Sequence, residues 1–407
     1  MLKRNPADLA ALGGKPAFEV PVHVGQPNLG DRERLLARLN DVFDRRWLTN
    51  AGPLVAEFEA RLAEELGVRH CVVMCNGTVA LEIAVRALEL RGEVIMPSFT
   101  FVATAHALQW QGVTPVFCDL APGSHNIDPE QVERMVTPRT TGIMGVHVWG
   151  RPCEIEALTA VAERRRLALV FDASHAFGCS WRGRPVGNFG RAEVFSFHAT
   201  KFLNSAEGGA VATNDDALAA KMRLMKNFGF AGYDRVTHIG TNGKMSELSA
   251  AVGLTNLESL ETFLERLRRN YGDYQRALAD MPGLHLLPST PGEGADGWNH
   301  QYVVLEVDRR EAGIGRDDLL TVLWAENVRA RRYFYPGVHR MEPYRSLYPH
   351  AGLLLPRTEA LTERVLVLPT GTQVGPNEID TIASILRVAA SHGPEITARL
   401  AGGDALP

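Results

Sequence analysis

No run of eighteen apolar residues occurs in the 407-residue chain, and the stretch Met1 to Gly14 carries charge but no apolar segment. A membrane span and a secretory leader are therefore not expected, and the cytoplasm is the expected compartment. Basic residues are not in excess: 43 Lys and Arg stand against 47 Asp and Glu, a net charge of −4. Binding to a phosphate backbone usually leaves a basic surplus, so nucleic acid is not an expected partner. Cysteine is sparse and odd in number. Cys71, Cys75, Cys118, Cys153 and Cys179 form no C-x-x-C pair, which excludes a zinc ribbon or a dithiol redox motif and fits small buried thiols in a reducing compartment. No G-x-G-x-x-G follows the first strand-like run, no P-loop occurs, and no heptad or 30-residue repeat is visible.

What is present is ordinary globular composition, 45% hydrophobic and 22% charged, in a chain long enough for two domains. From about residue 53 to 225, short apolar runs alternate with helical patterns, as in α/β proteins built on a largely parallel sheet. Pro53 suits a helix N1 position, Leu54, Phe58, Leu62 and Leu66 share one face, and Gly67 ends the helix. Strands are predicted at His70–Cys75, Glu93–Met96, Thr114–Cys118, Thr141–Val148, Leu167–Asp172, Ala192–Phe197 and Gly209–Thr213. Several are apolar on both faces, so helices should cover both sides. One long helical stretch is expected from Ser246 to about Met281. A loop at Pro288–Gly297 then opens a smaller unit with strand Gln301–Val307 and helix Asp317–Asn327, and Ala401–Pro407 should fray.

Chemistry concentrates at predicted strand ends, where open α/β sheets bind ligands. One strand delivers Asp172, followed by Ala173-Ser174-His175, and another delivers Ser196, followed by Phe197-His198-Ala199-Thr200-Lys201. A lysine at a strand edge is by itself usually a solvated residue. Beside a carboxylate it is also what pyridoxal phosphate requires: an amine to form an imine, and an anion to keep the pyridine nitrogen protonated. The turn Cys75-Asn76-Gly77-Thr78 precedes a helical stretch, Val79–Leu90, whose free N–H groups suit a phosphate, although a plain βα turn reads the same way. Pro97-Ser98-Phe99-Thr100-Phe101 offers two rings, one for the cofactor face and one for the core.

Taken in order, Asn76-Gly77-Thr78, Pro97–Phe101, Asp172–Ala176, Ser196–Lys201 and Glu207-Gly208-Gly209-Ala210 closely resemble the DegT/DnrJ/StrS-type sugar-nucleotide aminotransferases. The resemblance runs from Gly13-Gly14 to Pro369, with Ser174 where alanine is common and Ala199 where proline is common. It implies the aspartate-aminotransferase-like fold (fold type I) and a homodimer with active sites at the interface. It further implies a division into an N-terminal arm (1–20), a large cofactor-binding domain (21–260), a small C-terminal domain (261–395) and a flexible tail (396–407). By the same resemblance Lys201 is the imine-forming lysine, Asp172 pairs the pyridine nitrogen, His175 lies near the ring and Phe101 stacks on it. Gly77, Thr78 and Ser196 would hold the phosphate. Asn242, in Gly240–Glu247, would reach the phosphate of the neighbouring subunit. Related dehydratases have histidine in place of the lysine, so Lys201 favours transamination.

The resemblance implies pyridoxal phosphate as cofactor, L-glutamate as donor and a nucleotide-linked ketosugar as acceptor, with Lys201 moving the proton in both half-reactions. The interleaved basic and aromatic residues of Arg329–Pro336, continuing to His339 and Arg340, could pair a diphosphate and stack a base, or could form a solvated strand edge. Tyr335 and His339 are the substrate-binding candidates there. The surroundings of Asn227–Phe230 and Asn299–Tyr302 look most like the subgroup that aminates dTDP-4-keto-6-deoxy-D-glucose at C-4 in deoxyaminosugar pathways of bacterial natural products. Amination of a related sugar at C-3 is the near alternative. Two further readings are a metal-dependent hydrolase using Asp172, His175 and His198, and a non-catalytic sensor with the same fold. The first leaves Lys201 unexplained, no metal being expected. The second has no use for an imine and an electron sink together.

Overall fold

The computed structural model describes residues 1–288 and 297–402. All seven strands predicted in the first half are present, with ends shifted by a residue or two: β1 (His70–Met74), β2 (Glu93–Pro97), β3 (Thr114–Cys118), β4 (Thr140–Val146), β5 (Ala168–Asp172), β6 (Ala192–Ser196) and β7 (Gly209–Thr213). They form one sheet in the order β1-β7-β6-β5-β4-β2-β3. Only β7 runs antiparallel to its neighbours. The other six strands therefore end on a single edge, where β7 begins, and every strand-end motif is delivered there.

The strands are apolar on both faces because both are covered. Cys71 and Val73 pack in one core cluster with helices Pro53–Leu66 and Glu247–Leu257, while Val72 and Met74 pack in a second with helix Gly77–Ala87. Helix Pro53–Leu66 forms where its spacing predicts, with Pro53 in its first turn and Gly67 left-handed (φ 64°) at its end. Its N-terminus is buried, so its free N–H groups need an acceptor from outside the helix. Glu247, itself fully buried, accepts from Leu54 N and Val55 N at 2.9 Å each.

The long helical stretch expected from Ser246 to Met281 is instead two helices, Glu247–Leu257 and Leu260–Leu278, parted at Glu258 and Ser259. Glu258 caps the first helix with a still helical backbone, and its side chain binds Arg38 and Arg61 at 2.6 and 3.1 Å. The second helix backs a small antiparallel sheet, β8 (Leu284–Leu286), β9 (Val303–Val307) and β10 (Val365–Leu368), in that order. The loop expected at Pro288–Gly297 lies mostly outside the described residues. The N-terminal segment packs on this second unit: Val22–His23 pairs with Val328–Arg329, and Lys3 forms a buried ion pair with Glu326 at 3.0 Å. The tail expected from 396 is corrected, because helix Gly393–Gly402 continues through it with Ile396 fully buried; residues 403–407 lie outside the described residues. No described helix is long and apolar enough to cross a membrane, and all five cysteines are free.

Candidate active site

At the common strand edge lies a cavity of ≈ 280 Å³ whose lining includes Gly77, Thr78, Phe101, Asp172, His175, Ser196 and Lys201. It shares Thr100, Phe101, Tyr333 and Phe334 with a larger groove of ≈ 1000 Å³ lined by Arg329, Arg331, Arg332, Trp324 and Tyr335. Seven of the ten residues singled out from sequence thus line one cavity, and Tyr335 lines the groove beside it.

Lys201 follows β6 in a turn closed by its N–H on the His198 carbonyl at 2.8 Å. Its ammonium makes no hydrogen bond or ion pair among the described residues. The atoms packed around it shield the amine from much of the water, which lowers its pKa from 10.5 to about 8, and the charge of Asp172 opposes that fall only in part. Asp172, at the end of β5, is 5% exposed. One carboxylate oxygen accepts from Thr104 Oγ1 at 2.8 Å and the other from Ser174 N at 3.1 Å. Thr104 is held in turn by Thr100 Oγ1 at 2.9 Å. Neither threonine was singled out from sequence, since a buried hydroxyl on a helix has no signature until its partner is known. Burial and the nearby Lys201 hold His175 well below the ordinary histidine pKa, so its ring is neutral.

The turn after β1 has Asn76 as N-cap, its side chain accepting from Val79 N at 2.8 Å, and the helix starts at Gly77 rather than Val79. A Cβ on Gly77 would lie 3.0 Å from Ser196 Cβ, and one on Gly209 would lie 2.6 Å from the backbone of Asn76 and Gly77. The two glycines let β6, β7 and the helix N-terminus close into a cradle of N–H groups and hydroxyls. Of the two rings in Pro97–Phe101, Phe99 is fully buried against Trp149 and Phe334, and Phe101 is 57% exposed at the cavity and groove.

Two candidates lie elsewhere. His339 is corrected: it is 2% exposed, Nδ1 is 2.7 Å from Ser98 Oγ and Nε2 is 2.6 Å from Glu359, so it fastens its loop to the strand end and lines neither space. Asn242 is exposed, outside its own subunit's cavity, and accepts from Lys244 Nζ at 2.7 Å. His147, just after β4, is buried with its Nε2 3.0 Å from Glu193. The triad imagined for a metal is also dispersed in role. His198 is paired with Thr200 and Glu207, His175 Nδ1 is engaged by a backbone N–H, and no cluster of three or more potential ligands occurs among the described residues.

An enclosed amine without a partner, a carboxylate fixed beside it and a glycine-lined anion cradle fit pyridoxal phosphate. The sequence profile of the DegT/DnrJ/EryC1/StrS aminotransferase family matches residues 30–387. The chain is 36% identical over 371 residues to the dTDP-4-amino-4,6-dideoxy-D-glucose transaminase of Shigella dysenteriae, covering 91% of this chain and 99% of that one. It is 34% identical to the Escherichia coli protein of the same name, covering 90% and 98%. A crystal structure of DesI in the presence of its TDP-sugar product has a TM-score of 0.92 and 51% identity, covering 97% of this chain and 99% of that one. The chain therefore belongs to the DegT/DnrJ/EryC1/StrS aminotransferase family, with its fold type I architecture, and is a pyridoxal phosphate-dependent sugar-nucleotide aminotransferase.

Proposed function

We propose that this enzyme aminates dTDP-4-keto-6-deoxy-D-glucose at C-4, with L-glutamate as amino donor, as a cytoplasmic homodimer supplying a deoxyaminosugar to a bacterial natural product. The observation that carries the site assignment is the unpartnered Lys201 amine beside Asp172, in a cavity that opens into a basic and aromatic groove. The choice of sugar is supported by the names of the two transaminases and by the TDP-sugar product in the DesI structure.

When bound, pyridoxal phosphate supplies an electrophilic carbon for the amine and a ring that takes up the electron pair released with the Cα proton. Lys201 would tether it and, once freed by the donor, its neutral amine would accept the proton from Cα and, in the second half-reaction, give one to the sugar carbon receiving nitrogen. Its lowered pKa keeps a useful fraction neutral near pH 8. Asp172, fixed by Thr104 and Ser174 N–H, would hold the proton on the ring nitrogen. Gly77, Thr78 and Ser196 would hold the phosphate, and Phe101 and His175, which line the same cavity, would flank the ring. The groove's arginines and Tyr335, whose ring lies under Arg332 at 4.2 Å, take the diphosphate and base.

Exposed Phe43, Trp47, Phe228 and Ile239 support a second copy of the chain as their cover, with Asn242 reaching the partner subunit's phosphate. Incubating the enzyme with pyridoxal phosphate, L-glutamate and the 4-keto sugar tests the reading. A 4-amino-4,6-dideoxy product by NMR and mass is expected, and Lys201→Ala should abolish it while leaving the circular dichroism unchanged. A product aminated at C-3 from a 3-keto sugar, with none from the 4-keto sugar, overturns the assignment.

A further inference from the structure

His175 reaches the cavity from a network of buried side chains that crosses between the two units. Its Nδ1 accepts from the backbone N–H of Trp149 at 3.3 Å. A neutral imidazole with Nδ1 occupied as acceptor has its proton on Nε2, and that nitrogen makes no hydrogen bond among the described residues. Trp149 is fully buried, with its ring 6.2 Å from that of His175 and nearly parallel to it at 14°. All its polar atoms are engaged. The carbonyl accepts from Trp298 Nε1 at 2.9 Å, and the indole Nε1–H donates to His125 Nδ1 at 2.9 Å. Indole can only donate, so His125 is also proton-bearing at Nε2, which donates to Glu306 on β9 at 3.0 Å. Glu306 is held in turn by Arg364 at 2.9 Å.

Trp149 also has a left-handed backbone (φ 62°), a conformation that costs about 1 kcal/mol or more for a residue with a Cβ and persists only when its surroundings enforce it. The enforcing contacts are those on its indole and carbonyl. We infer that Trp149, clamped by His125 and Glu306, is a positioning residue that presents its backbone N–H to His175 and so fixes the proton of His175 on Nε2. The small unit would thereby govern which nitrogen of a cavity-lining histidine can donate. The inference rests on the proposed placement of His175 beside the cofactor, but concerns its tautomer rather than the identity of the substrate.

Holoenzyme labelled with ¹⁵N-histidine tests it, the His175 signal being identified by its loss in His175→Gln. A neutral, Nε2-protonated ring is expected in the wild type. In His125→Leu and in Trp149→Phe, both tautomers should appear, and kcat should fall about tenfold with KM little changed. His125→Asn, whose Oδ1 can still accept from the indole, should recover most of both readouts. Loss of folding in His125→Leu would leave Trp149→Phe, which strands no buried donor, to decide. Folded, cofactor-bound variants with an unchanged His175 signal and unchanged kcat would overturn the inference. Failure of the functional reading would look different: no turnover of the 4-keto sugar by the wild type, with the His175 signal still legible.

Discussion

Lys201 has two requirements placed on it, a tether for an imine and a carrier for a proton, and both need the neutral amine. Because its pKa is held down from 10.5 to about 8, cofactor uptake by the apoprotein should speed up as pH rises through about 8 and then level off. Stopped-flow absorbance checks this, and a rate still climbing steeply toward pH 10 would contradict it. The linkage has a definite sign. The unfolded chain binds a proton at this lysine up to about 10.5, and the folded apoprotein releases it near 8, so between these values stability rises with pH. Lys201→Ala should lose that part of the slope in urea titrations. Asp172 depends on Thr104 in a comparable way. Thr104→Val leaves a buried carboxylate oxygen without one donor, a loss of about 1–3 kcal/mol. A fall in kcat with unchanged secondary structure is expected.

The helix that begins at Gly77 serves the site through its first turn, and the turn has that shape because β6 and β7 press against it. A methyl group on Gly209 would collide with the peptide between Asn76 and Gly77, and overpacking of this kind costs roughly 1–3 kcal/mol. Gly209→Ala is therefore expected to weaken pyridoxal phosphate binding by about tenfold or more, measured as Kd by fluorescence, before it alters global unfolding. The phosphate site is a property of three elements meeting, and its tightness is set by residues with no side chain to offer.

Across the whole molecule the proposed dimer makes a prediction that no monomeric arrangement shares. Asn242 does not line its own cavity, so under the proposed action in trans Asn242→Ala and Lys201→Ala would damage different subunits' contributions to one site. Mixed under exchanging conditions, two inactive variants should regain activity toward roughly one intact site in four of a randomly paired population. No recovery in demonstrated heterodimers would exclude action in trans.

The strands of the central sheet were legible in the sequence because burial on both faces writes itself as continuous apolar runs, and helix Pro53–Leu66 because its period, proline and glycine agree. Lys201, Asp172 and the Gly77 turn were legible because they stand at the ends of those strands, and a parallel sheet sends all such ends to one edge. The place of His339 was not legible: its basic and aromatic neighbours suggest a ligand, whereas in the structure Ser98 and Glu359 occupy both ring nitrogens. Thr104 and His125 carried no local signal at all, because a hydrogen bond across many residues has no period or spacing. Chain pattern alone therefore determined the layers and the chemistry at their edge. Which ring faces the cavity, where each proton sits and how closely the cradle shuts were decided only by tertiary packing, since these depend on contacts between segments that the chain order does not constrain.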